Sequence, residues 1–108
     1  MNFYLGTNLE TLNPNHYNIR IDEEVCKYLY KNKINTKILH GIDPYGDTIL
    51  FKEDIFDLVK DCELIIDLNK ESLDICLNQI TPLEDFKNLK KLCEKAIKEN
   101  KNIICVGD

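Results

Sequence analysis

Residues 36–51 read TKILHGIDPYGDTILF, and the fold turns on what this stretch does. Both ends are apolar and rich in β-branched residues, which favours strands over residues 36–42 and 47–51. Between them, Asp43-Pro44-Tyr45-Gly46 fits a type I turn position by position, with Asp first, Pro preset at the second site and Gly at the fourth. A type I turn followed by a left-handed glycine is a common hairpin closure with a bulge. The stretch therefore predicts a β-hairpin, and its turn is explained structurally before any chemistry is asked of it.

Beyond the hairpin the hydrophobic period changes. Ile55, Leu58, Val59, Cys62, Ile65 and Ile66 recur at three and four, predicting a long amphipathic helix from Glu53, with Asp54, Asp57, Asp61 and Asp67 mostly off its apolar stripe. Taken alone, CELII at 62–66 also suits a strand. Residues 69–72 interrupt, and Leu73, Cys76, Leu77 and Ile80 suggest a further helical piece capped by Ser72. The last helix has the fullest start signal: Thr81 as N-cap, Pro82 as first helical residue and Glu84 completing a capping box. Its stripe is Leu83, Phe86, Leu89, Leu92, Cys93, Ala96 and Ile97. Lys95, Lys98 and Lys101 gather at its negative end, and Asn100 suits a left-handed cap. The run IICV at 103–106 predicts a buried strand.

Toward the N-terminus, Phe3-Tyr4-Leu5 is a brief strand stopped by Gly6, and residues 7–18, with many Asn and Pro14, form a loop. Ile19 to Ile21 alternate like a strand end. Asp22 is a helix N-cap, with Glu23 and Glu24 in the first turn and Val25, Cys26, Leu29 and Tyr30 at helical spacing; Asn32 and Asn35 close that helix. Together these elements make one domain, residues 1–108, of α+β class: a small, mostly antiparallel sheet with helices packed on one face. The C-terminal strand is expected beside the hairpin, because its apolar run needs cover on both faces.

Composition narrows the function. A net charge of -5 disfavours a nucleic-acid binder, since neutralising phosphates takes clustered Lys and Arg, and suits a basic partner instead. No apolar run approaches the roughly 20 residues that span a bilayer, and MNFYLGTN lacks the features of a signal peptide, so no membrane partner and a cytoplasmic location are expected. The five cysteines (Cys26, Cys62, Cys76, Cys93 and Cys105) are widely spaced among apolar neighbours with no CxxC pair, the pattern of reduced, buried thiols. His16 and His40 have no ligand-type residue at metal spacing beside them.

The candidate sites thin out under the same scrutiny. Asp43 and Asp47, with Asp54 nearby, supply too few oxygens for a calcium loop, and the turn lacks the GxxxxGK phosphate pattern. The terminal IICVGD is shaped like a metallophosphoesterase opening, but that chemistry needs further His, Asp and Asn ligands on later loops, which these residues do not supply. No Ser or Cys sits in a nucleophile elbow. No enzyme activity, cofactor or metal is therefore expected. What remains is the acidic row Glu53, Asp54, Asp57, Asp61, Glu63 and Asp67, either a solvated face or a steering surface for a cationic partner. Tyr45, Asp47, Asp54, Asp57 and Asp61 are the candidate partner-binding residues.

The turn from Ile42 to Thr48 with Phe51, two long amphipathic helices, and Ile103 running to Gly107-Asp108 together resemble a family of small bacterial proteins. Its members carry an IDPYGDT-like turn, a nearby aromatic and an apolar strand ending in Gly-Asp, and they are similar to immunity proteins of polymorphic or contact-dependent toxin systems. The resemblance spans residues 38–108. It departs at Lys52, where the pattern has a helix-capping Asn, and it does not extend into the N-terminal third. It implies a cytoplasmic, non-enzymatic immunity or antitoxin-type protein that neutralises a basic toxin domain, such as a nuclease, by stoichiometric binding. The alternative is a small structural or regulatory interaction module of a bacterial assembly.

Overall fold

A computed structural model describes residues 1–7, 10, 16–31, 33–39, 41–43, 45–70 and 83–107, with side chains of the long central helix described to residue 67. In chain order the elements are β1 (Asn2–Gly6), β2 (Asn18–Arg20), α1 (Glu24–Lys31), β3 (Thr48–Leu50), α2 (Lys52–Lys70), α3 (Leu83–Glu99) and β4 (Asn102–Val106). The strands form one antiparallel sheet in the order β2-β1-β4-β3. The C-terminal strand is central because it is the most apolar: Ile103, Ile104 and Cys105 are fully buried, as its sequence run requires.

Strand alternation sends Phe3, Leu50, Ile103 and Cys105 to the helical side, where they join one core with Ile55, Leu58, Cys62, Phe86, Leu89, Leu92, Cys93 and Ala96. The stripes predicted for α2 and α3 face each other and the sheet. Residues 62–66 are helical, and their reading as a strand is set aside. The helix proposed over residues 72–80 and the Thr81-Pro82 cap lie outside the described residues, as do Cys76 and His40. On α1, Val25, Cys26 and Leu29 are buried as expected, whereas Tyr30, expected on the same stripe, is exposed.

Backbone bonds after α3 and after α1 follow one pattern. After α3, Asn100 takes φ 56°, Lys101 N donates to Ala96 O at 2.9 Å and Asn100 N to Ile97 O at 3.3 Å, the paired bonds of a Schellman cap. After α1 the left-handed residue is Lys33 (φ 54°), with Ile34 N to Leu29 O at 3.0 Å and Lys33 N to Tyr30 O at 3.2 Å. At the start of α1, Asp22 Oδ1 accepts from Glu24 N at 2.9 Å, the expected N-cap. The start of α2 differs from the resembled pattern in its chemistry. Phe51 holds the cap position, its carbonyl accepting from Ile55 N at 2.9 Å, and Asp54 reaches back to accept from Phe51 N at 3.1 Å. Lys52 is the first helical residue, so the cap comes from Asp54, three residues after Phe51.

The hairpin does not form. The turn is present, with Gly46 N donating to Asp43 O at 3.3 Å and Tyr45 N to Asp43 Oδ1 at 2.9 Å, but no described glycine has the positive φ that a bulged hairpin closure would use. Residues 36–39, 41 and 42 are not in a strand, and β3 pairs with β4 instead, Thr48 opposite Cys105 and Leu50 opposite Ile103. The turn then runs on beside the end of β4. Gly107 N donates to Asp47 Oδ1 at 3.3 Å, and a Cβ on Gly107 would sit 2.5 Å from Tyr45 C and 2.6 Å from the Gly46 backbone. Gly107→Ala is therefore expected to push the turn off the sheet and cost about 1–3 kcal/mol, the range for overpacking. Urea denaturation checks this, and an unchanged midpoint would show that the chain end simply moves aside.

Candidate protein-binding surface

The route of residues 36–42 is set by one acidic side chain on a neighbouring helix. Asp61, in the middle of α2, is only 2% exposed. Its carboxylate accepts three consecutive backbone N–H groups: Lys37 N on Oδ1 at 2.6 Å, Ile38 N on Oδ2 at 2.7 Å and Leu39 N on Oδ2 at 3.1 Å. Successive amides of a strand point to opposite sides, whereas here they converge on one anion as a backbone nest. The Leu39 carbonyl is also bound, accepting from the buried Cys26 thiol at 2.9 Å, and Gly41 N closes a turn onto Ile38 O at 3.0 Å. The side chains of Leu39 and Ile42 enter the core from this non-strand segment.

The acidic row inferred from sequence is thereby split up. Asp61 is turned inward and is no part of any exposed face, a correction to its reading as a partner contact. Asp54 is half-buried and caps its own helix, and Asp57 lies 3.8 Å from Lys37 Nζ in a partly exposed pair. On the solvent side of α2, Glu53, Glu63 and Asp67 alternate with Lys52 and Lys60, and Glu63 lies 3.9 Å from Lys90 Nζ on α3. Exposed pairs of this kind add little to stability, but they dilute the negative field. Asp47 stays exposed beside its contact with Gly107.

Aromatic side chains give the surface its character. Tyr45 is 62% exposed, Phe51 60% and Phe56 45%. Tyr45 and Phe51 bracket β3, an edge strand of the sheet, and Phe56 stands on the first turns of α2 directly after it. Tyr45 also contributes to raising the Lys27 pKa, after the larger effect of the Lys27 hydrogen bond to Glu24 at 3.1 Å. Tyr45 was expected at the surface because the turn geometry does not call for it. Phe56 was not singled out from the sequence, although its place outside the stripe of Ile55, Leu58 and Val59 was a signal for it. Phe51 was read as the last residue of the returning hairpin strand, and its exposure was not anticipated.

Four cysteines (Cys26, Cys62, Cys93 and Cys105) are buried free thiols, as expected. Burial raises the pKa of Cys62 and of Cys26, and lifts Cys93 from 9.0 to about 12. Among the described residues no group of three or more His, Cys, Asp and Glu is placed to hold a metal ion, and no helix is long and apolar enough to cross a membrane. Comparisons with known protein families, with curated proteins and with solved structures find no match for this chain.

Asp61→Asn puts an amide donor against backbone donors and is expected to cost about 3 kcal/mol. Hydrogen exchange would show the Lys37, Ile38 and Leu39 amides losing protection first; unchanged protection there would mean that the segment is held by other contacts. The buried thiols give a second expectation. Above about pH 9 the unfolded chain sheds protons that folded Cys93 keeps until about pH 12, and Cys62 behaves likewise. Stability is thus intact below about pH 9 and falls as pH rises, by up to ~1.4 kcal/mol per pH unit per thiol. Denaturation midpoints against pH should fall less steeply for the Cys62→Ala/Cys93→Ala double variant, whatever its absolute stability.

Proposed function

We propose that this chain is a non-enzymatic binding protein of the immunity or antitoxin type, which neutralises a cognate bacterial toxin domain by covering it stoichiometrically. The observation that carries the reading is the exposure of three large aromatic side chains between the turn and the start of α2, Tyr45, Phe51 and Phe56. Aromatic side chains at the centre of an interface supply much of its binding energy, and exposed rings are the side chains best suited to that role. Asp47 and Glu53 lie beside them in sequence and are exposed, with Asp57 partly so. An acidic rim around an apolar centre suits a basic partner, such as the active-site face of a nuclease.

Burial of Asp61 sharpens this reading, because contact now rests on the rings and steering on the few carboxylates that remain exposed. The alternative, an interaction module of a bacterial assembly, would use the same edge, and growth separates the two. Co-expression with a toxin domain encoded directly upstream should restore growth if the chain neutralises it; no rescue, or housekeeping neighbours, would count for the module. Tyr45→Ala, Phe51→Ala and Phe56→Ala should each weaken the complex by about 2 kcal/mol, roughly thirtyfold, with the fold intact. Affinity should also fall as salt rises, and a salt-insensitive complex would remove the acidic rim from the account.

A further inference from the structure

A second surface has the opposite chemistry to the rest of this acidic chain. A groove of about 280 Å³ runs between the end of β1, residues 16–17 and the flank of α3. Half-buried Leu5 and buried Leu92 give it an apolar base, and Tyr17, 69% exposed, stands at its side. Asn88, Lys91 and Lys95 enter from α3 at spacings of three and four, so they share one face of the helix, and His16 enters from the chain next to Tyr17. No carboxylate lines it among the described residues. Among the described residues Lys95 has only a long 3.9 Å pair with Glu99, one turn further on, and Lys91 is in no ion pair.

An apolar base, one aromatic wall and a few convergent polar donors is the pattern of a small-molecule site, and the volume falls just below the ~300 Å³ at which such sites begin, so only a small ligand fits. Two ammonium groups about one helical turn apart can take a single phosphate between them, with the asparagine amide and the imidazole as further donors. The tyrosine ring offers a face for a planar group, since stacking on aromatic side chains is how bases are commonly held. A polyanion would meet the net charge of -5 beyond the groove, whereas one phosphate would not. We propose that this groove binds a small aromatic phosphate of mononucleotide size, with the phosphate on Lys91 and Lys95 and the ring between Tyr17 and the Leu5-Leu92 base. The site is separate from the β3 edge and does not rest on the toxin-binding reading.

Titration of the full chain with adenosine 5′-monophosphate, followed by amide and side-chain NMR shifts, tests this. Saturable shifts are expected at Leu5, Tyr17, Asn88, Lys91 and Lys95, with inorganic phosphate and adenosine each at least tenfold weaker. Lys91→Ala/Lys95→Ala and Tyr17→Ala should each weaken the nucleotide by tenfold or more while the remaining spectrum is unchanged. Three results would overturn the proposal: no saturable shift up to roughly 10 mM, well above the ~1 mM affinity of a weak site; inorganic phosphate binding as tightly as the nucleotide; or shifts centred on Tyr45 and Phe51 instead.

Discussion

The carboxylate of Asp61, gathering three adjacent backbone amides in the core, decides how this chain is threaded. A buried charge without partners would be very unfavourable, so the segment that satisfies it has little freedom. Lys37, Ile38 and Leu39 cannot give their amides to Asp61 and to a neighbouring strand at once. The stretch that would otherwise have paired with β3 becomes a bridge across α2, and β3 pairs with the C-terminal strand. In the sheet that results β3 lies at the edge beside β4, and the turn before it rests against Gly107.

The elements most legible in the sequence were those built from local signals. The α3 stripe from Phe86 to Ala96 and its Asn100 cap, the Asp22 cap of α1 and the apolar β4 run each depend on residues within a few positions of one another. The α+β class with an antiparallel sheet followed from them. What could not be read was pairing between distant segments. Residues 36–42 carry a fair strand pattern, and nothing local says that an acid some twenty residues on will take their amides. Periodicity also misplaced Asp61 itself, because a carboxylate counts as polar in any pattern, whether it faces water or a nest of amides. The same cause undid the acidic row: Asp54, Asp57 and Asp61 look alike in sequence, yet one caps a helix, one pairs with Lys37 and one is buried.

The two stretches behind the resemblance, residues 42–48 and 103–107, are in direct contact. Asp47 holds the Gly107 amide, and the absence of a side chain on Gly107 lets the backbone of Tyr45 and Gly46 lie against it. A turn rich in Asp, Pro and Gly and a strand ending in Gly-Asp are thus two halves of one joint. The Tyr45 side chain takes no part in that joint and stays exposed.

The outer strands β2 and β3 are only three residues long. An edge this short offers few free amides and carbonyls to a second sheet, so stacking of copies edge to edge gains little. That has a consequence for colloidal behaviour. A protein with Tyr45, Phe51 and Phe56 in water could be expected to self-associate, but the backbone template needed to turn hydrophobic sticking into an ordered fibre is almost missing at the place where the rings are displayed.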